Sequence, residues 1–201
     1  MGSSYFTSPL AFIITTLFDL YALLVLLRFI LQMLRADFYN VISQFIVNMT
    51  APPLKILRRF IPSMLRQDTA SIALCLIVIY AKFLLLRALN VPIVAIADVR
   101  APIGMVSYPG LFIYSIADLA ALFISVFVVA IIIQVVISWI NPGQYNPVTG
   151  LLNSITAPVL DPIQKRLPPM GGLDFSPMIA ILALIVAKML IIPPIIHLGS
   201  F

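Results

Sequence analysis

Asn48-Met49-Thr50-Ala51-Pro52-Pro53-Leu54-Lys55-Ile56-Leu57-Arg58-Arg59-Phe60-Ile61-Pro62 returns 106 residues later as Ser154-Ile155-Thr156-Ala157-Pro158-Val159-Leu160-Asp161-Pro162-Ile163-Gln164-Lys165-Arg166-Leu167-Pro168. Each copy lies between two long apolar runs. The same displacement carries Tyr39-Asn40 to Tyr145-Asn146, Asp68 to Asp174 and Lys82 to Lys188. The chain therefore reads as two copies of one unit, 1–98 and 99–201, each an apolar helix, a Thr-Ala-Pro segment and a second apolar helix.

Composition sets the class. Of 201 residues, 62% are hydrophobic and 9% charged, against roughly 45–50% and about 25% in soluble domains. That balance belongs to an integral membrane protein. The net charge of +5 comes from Lys and Arg beside the apolar runs. There they act as topology signals and lipid contacts, which points away from nucleic acid. Cys75 is alone, so no disulfide can form within the chain. One His and no Glu leave little for acid–base or metal chemistry. His197 has no second His or Cys to share a metal, and there is no Gly-rich phosphate loop and no usable Ser–His–Asp set. No catalytic, cofactor or metal site is expected, and the chain does not read as an enzyme.

Four runs are long enough to span a bilayer, which takes roughly 20 apolar residues: about 10–35, 70–90, 111–140 and 176–196. The fold class is all-α integral membrane, with four spans in two parallel repeats. The shorter segments 37–62 and 146–168 read as amphipathic helical hairpins. Their expected turns are Thr50/Pro52 and Thr156/Pro158, because proline breaks a helix interior but suits the first turn of a new one. On that reading Thr50 caps the second short helix, Asp161-Pro162 opens the corresponding one, and Ser176 caps the last span. Residues 90–109, with three prolines, read as a connector. Arg35, Lys55, Arg58, Arg59, Arg66, Lys165 and Arg166 fall on the hairpin side, and Arg87 and Arg100 on the other. That bias places the hairpins on the cytoplasmic side and both termini outside. Lys55, Arg58, Arg59, Lys165 and Arg166 then form a face for anionic headgroups or a protein partner.

Charges also lie inside the spans, where each costs about 2.5–3.5 kcal/mol on insertion scales. Asp19, Lys82, Asp118 and Lys188 fall at a similar depth when Asp19 is matched to Asp118 at a displacement of 99. The expected pairs are Asp19–Lys82 and Asp118–Lys188, or the crossed pairing between units. Such a layer serves either as a lock on helix register or as an ion path. Arg28, which Gln134 matches at 106, is expected to snorkel to the cytoplasmic boundary.

Ala36-Asp37-Phe38-Tyr39-Asn40, Thr50-Ala51-Pro52-Pro53, Arg58-Arg59-Phe60-Ile61-Pro62, Ser138-Trp139-Ile140, Thr156-Ala157-Pro158-Val159-Leu160 and Pro168-Pro169-Met170-Gly171-Gly172-Leu173-Asp174-Phe175-Ser176-Pro177 resemble the YggT (YlmG-type) family of small bacterial inner-membrane proteins. The resemblance covers nearly the whole chain. It implies a non-enzymatic accessory or assembly factor supporting envelope and osmotic homeostasis. The competing expectation is an ion-conducting or ion-coupled protein using the Asp/Lys layer. Expected partners are membrane lipids, other membrane proteins and a second copy of the chain.

Overall fold

The computed structural model describes residues 3–36, 39–61, 68–140, 146–167 and 174–201. Pro62, Arg66, Asn141-Pro142-Gly143 and residues 168–173 lie outside the described residues, as do Asp37-Phe38.

Among the described residues six helices follow in order: α1 (Ser3–Met33), α2 (Val41–Leu57), α3 (Thr69–Ala88), α4 (Tyr108–Ile140), α5 (Pro147–Gln164) and α6 (Ser176–Gly199). The segments Ser8–Met33, Thr69–Ala88, Tyr108–Ile140 and Ser176–Gly199 are long and apolar enough to cross a membrane. At about 1.5 Å per residue, even the 20 residues of α3 cover about 30 Å.

The long helices pack as a row. α3 lies against α1 on one side and α4 on the other, and α6 packs on α4. Among the described residues, α6 makes no comparable contact with α1 or α3. Ala22, Val25, Leu26, Phe29 and Ile30 form one buried stripe of α1 at i, i+3, i+4 spacing. Leu74, Cys75, Ile79, Phe83 and Leu86 of α3 belong to the same core. α4 and α6 meet most closely at a pair of glycines. A Cβ added to Gly110 would lie 2.3 Å from the Gly199 carbonyl oxygen.

The helical hairpins expected at 37–62 and 146–168 are absent over the described residues. Each is a single helix that runs through its prolines: Pro52 and Pro53 in α2, Pro158 and Pro162 in α5. No turn forms at Thr50/Pro52 or at Thr156/Pro158. The reason is tertiary. Ser43, Ile46, Thr50 and Leu54 are buried on one continuous face of α2, and Leu151, Leu152, Ile155, Thr156 and Leu160 on one face of α5. Breaking either helix would lift half of that face off the spans. The caps sit earlier than expected. Asn40 accepts the Ile42 N–H at 2.9 Å, and Asn146 forms a capping box with Thr149. Ser176 does not cap α6 but begins it. Asp174 accepts the Ser176 N–H at 2.8 Å.

The connector holds a two-stranded element not anticipated from the sequence. β1 (Ile93–Ile96) and β2 (Val99–Pro102) pair antiparallel, with Ile96 opposite Val99. Ala97 and Asp98 both take positive φ, 49° and 71°, as a two-residue hairpin turn of the primed type requires. Ile96, Ala101 and Ile103 are fully buried, so this hairpin is packed against the helices. Arg87 fixes its exit by donating to the Val106 carbonyl at 2.6 Å and lying over the Tyr108 ring.

Candidate functional site

Three groups of polar side chains sit in or beside the spans. The first is centred on Lys82 of α3, which is buried. Its Nζ donates to Asp19 Oδ1 of α1 and to Asp118 Oδ2 of α4, both at 2.6 Å. One ammonium thus joins three neighbouring helices of the row. The Asp118 side chain is largely covered, while that of Asp19 is 47% exposed, so the cluster opens on the α1 side.

Lys188 behaves differently from its expected role. It does not pair with Asp118 but donates to Ser125 Oγ at 3.2 Å. Ser125 is the position 106 residues after Asp19, as Lys188 is 106 after Lys82. At that displacement the Lys82–Asp19 contact recurs as Lys188–Ser125, and Asp118 has Phe12 as its counterpart. The match of Asp19 with Asp118 at 99 is therefore replaced. Seven residues are about two helical turns and preserve the helix face, so periodicity alone does not separate the two alignments. Lys188 and Ser125 also line a cavity of about 460 Å³ with Asp98 and Val99 of the hairpin. Non-helical backbone at spanning depth is tolerated where it is buried in protein or lines a polar cavity.

The second group holds the short helices to the spans. Arg28 of α1 is buried and does not snorkel. Its Nη1 donates to Thr50 Oγ1 at 2.9 Å and to the Val47 carbonyl at 3.0 Å, and Thr50 in turn donates to the Ile46 carbonyl at 2.7 Å. This contact lies one turn before Pro52, whose missing N–H cannot serve the Asn48 carbonyl. At positions 106 further on, Thr156 donates to Gln134, and Gln134 donates to Asn153 at 2.9 Å. The equivalence of Arg28 and Gln134 was visible in the sequence. Their threonine partners were not, because Thr50 was read as a cap and Thr156 as part of a turn.

The third group is at the helix ends. Arg58 pairs with Asp68, which also accepts from Ser71 at 2.7 Å. Burial works against the charged form of Asp68. The hydrogen bonds from Arg58 and Ser71, with the positive charges of Arg58 and Arg28, outweigh it and hold this carboxyl below the usual carboxylate range. The corresponding contact is Gln164 Nε2 donating to Asp174 Oδ2 at 2.8 Å. Of the other basic residues, Lys55, Arg59, Lys165 and Arg166 are all exposed. Among the described residues, no group of three or more His, Cys, Asp or Glu could hold a metal.

Four helices fit to cross a membrane, with polar locks between and beneath them, define a multi-pass helical membrane protein. The CCB3/YggT family model matches the chain twice, over residues 7–89 and 113–195, and the chain belongs to that family. It is 45% identical to an uncharacterized Pseudomonas aeruginosa protein over 90% of this chain and 87% of that one. It is 36% identical to the uncharacterized protein YggT of Escherichia coli K12 over 90% and 88%. It is 32% identical to an uncharacterized Haemophilus influenzae protein over 89% and 88%. No solved structure matches.

Proposed function

We propose that this protein is a non-enzymatic inner-membrane accessory factor that docks other membrane proteins and so supports envelope and osmotic homeostasis. The observation that carries this reading is the open row of spans. Among the described residues the spans pack in the order α1, α3, α4, α6, with no comparable contact of α6 with α1 or α3 to close the row. Exposed apolar side chains such as Phe12 and Leu17 of α1 and Leu182 and Met189 of α6 line its two flanks. At the end where α2 and α5 lie, Phe45, Trp139 and Ile140 are exposed. Amphipathic aromatics at that level suit a docking band. Two parallel copies of one unit are the proposed architecture. It is supported by the two family matches, displaced from each other by 106 residues at both ends, and by paired contacts that share the displacement.

The test is photocrosslinking in intact cells from positions 45 and 139 of the full chain. It is combined with rescue of osmotic tolerance in a deletion strain by Phe45→Ser/Trp139→Ser. Protein crosslinks at both positions and failed rescue are expected. Full rescue with no protein crosslink would overturn the docking reading.

The half-exposed Asp19 at one end of the Lys82 cluster favours a second reading, ion coupling through that layer. Potassium or proton flux in liposomes that is lost in Lys82→Met/Lys188→Met would put this reading first. Absence of flux from folded protein would leave the layer as a register lock.

A further inference from the structure

A cavity of about 430 Å³ opens beside α2 and is lined by Arg28, Ala51, Pro52, Lys55 and Arg58. Of these described lining residues, Arg28, Lys55 and Arg58 are cations. Arg28 is 8% exposed and is held there by Thr50 and Val47. The adjacent carboxylate, Asp68, is already paired with Arg58. One carboxylate against three cations leaves the cavity net positive among the described residues.

The second half of the chain supplies an internal comparison. The positions 106 residues further on are Gln134, Ala157, Pro158, Asp161 and Gln164. The alanine and the proline are kept, and every cation is replaced by a neutral or acidic residue. The holding contacts nevertheless survive. Gln134 holds Thr156 as Arg28 holds Thr50, and Gln164 holds Asp174 as Arg58 holds Asp68. An amide therefore suffices to hold the short helix to the spans and to close the helix end. A buried guanidinium carries a desolvation cost that an amide avoids. The charges of the first half have a use that its structural contacts do not explain.

We propose that this cavity binds the phosphate of an anionic phospholipid, and that the corresponding positions of the second half do not. Guanidinium N–H groups suit phosphate oxygens. Those of Arg28 and Arg58 not spent on Thr50, Val47 and Asp68 remain for them, and Lys55 adds a point charge at the rim. A lipid source is favoured by position. Arg28 lies five residues before the end of α1, about 7.5 Å into the span, and the same short helix exposes Met49 and Ile56 beside the cavity for acyl contact. The inference concerns a lipid and stands independently of the protein-docking reading.

The experiment uses the purified full chain in neutral detergent. Retained lipid is measured by native mass spectrometry after addition of phosphatidylglycerol, phosphatidylcholine or inorganic phosphate. One tightly retained phosphatidylglycerol is expected, with little phosphatidylcholine. Retention should fall about fivefold for each cation removed in Lys55→Gln and in Arg28→Gln/Lys55→Gln/Arg58→Gln, the latter importing at positions 28 and 58 the amides that already serve the second half. Lys165→Gln/Arg166→Gln should retain the lipid as the wild type does. Among the described residues Lys55 makes no hydrogen bond or ion pair that holds the fold, so its single variant reports binding even if the triple variant unfolds. Equal retention of phosphatidylcholine, unchanged retention in Lys55→Gln, or complete displacement by inorganic phosphate would each overturn the proposal.

Discussion

At the scale of single residues, Lys82 and Lys188 share a sequence context but not a burden. Lys82 neutralises two carboxylates on two other helices, whereas Lys188 meets a hydroxyl. Lys82→Met leaves Asp19 and Asp118 close together without their cation. Removing one partner of a buried pair is strongly destabilising, and with Asp19 half-exposed the expected loss is about 3 kcal/mol. Lys188→Met forfeits one hydrogen bond and also removes a charge from the span, so stability should change by no more than about 1 kcal/mol. Thermal unfolding in detergent, followed by Trp139 fluorescence, separates the two. Asp68 gives a pH signature. Its carboxyl is held below the ordinary range in the fold, so its contribution is full above the unfolded value, about 4, and is lost as pH falls through the folded value. The unfolding temperature should hold steady from pH 7 to about pH 5 and drop below about pH 4. Asp68→Asn should begin lower and drop less steeply. An identical acid limb in the variant would show that other carboxylates, such as Asp174, govern it.

At the scale of elements, the short helices and the α4–α6 contact illustrate how neighbours decide local structure. Proline argued for a break within 41–57 and 147–164, and local propensity does favour one. Burial of a single face on each helix, tied by the Arg28–Thr50 and Gln134–Thr156 bonds, outweighs that preference. The hairpin at 93–102 was missed for a related reason. Its turn is Ala97-Asp98, without the glycine that marks such turns in sequence. The α4–α6 crossing depends on the absence of a side chain at Gly110. Gly110→Ala would drive a methyl into the Gly199 carbonyl, with the Val106 side chain also in the way. The helices must move apart, and a loss of about 1–3 kcal/mol is expected. Unfolding of this variant at the wild-type temperature would mean that the helix ends shift freely.

At the scale of the whole molecule, the row of spans places the hairpin connector and the C-terminus at one end, where the Ser107 hydroxyl donates to the Phe201 carbonyl. α2 and α5 occupy the other end, and Asn40 Nδ2 donates there to the Pro147 carbonyl. With the basic excess on the α2/α5 side, the expected orientation puts that side in the cytoplasm. In a Cys75→Ser background, Met105→Cys and Phe201→Cys should react with an impermeant thiol reagent in intact spheroplasts. Lys165→Cys should react only after permeabilisation. Labelling of Lys165→Cys from outside would reverse the orientation.

By itself the sequence determined the four spans, because a run of some 20 apolar residues has few stable environments other than a bilayer. It also determined the family, through motifs spread over nearly the whole chain, and that Asp and Lys side chains inside the spans should meet, since opposite charges there seek each other, but it left open which carboxylate each lysine takes. Only the tertiary structure decided which second carboxylate Lys82 takes, that Arg28 turns inward to Thr50, that α2 and α5 run through their prolines, and that three cations meet at one cavity. These outcomes depend on which helix faces lie together. A helical sequence repeats its faces every two turns, so several registers satisfy the same pattern, and packing selects among them.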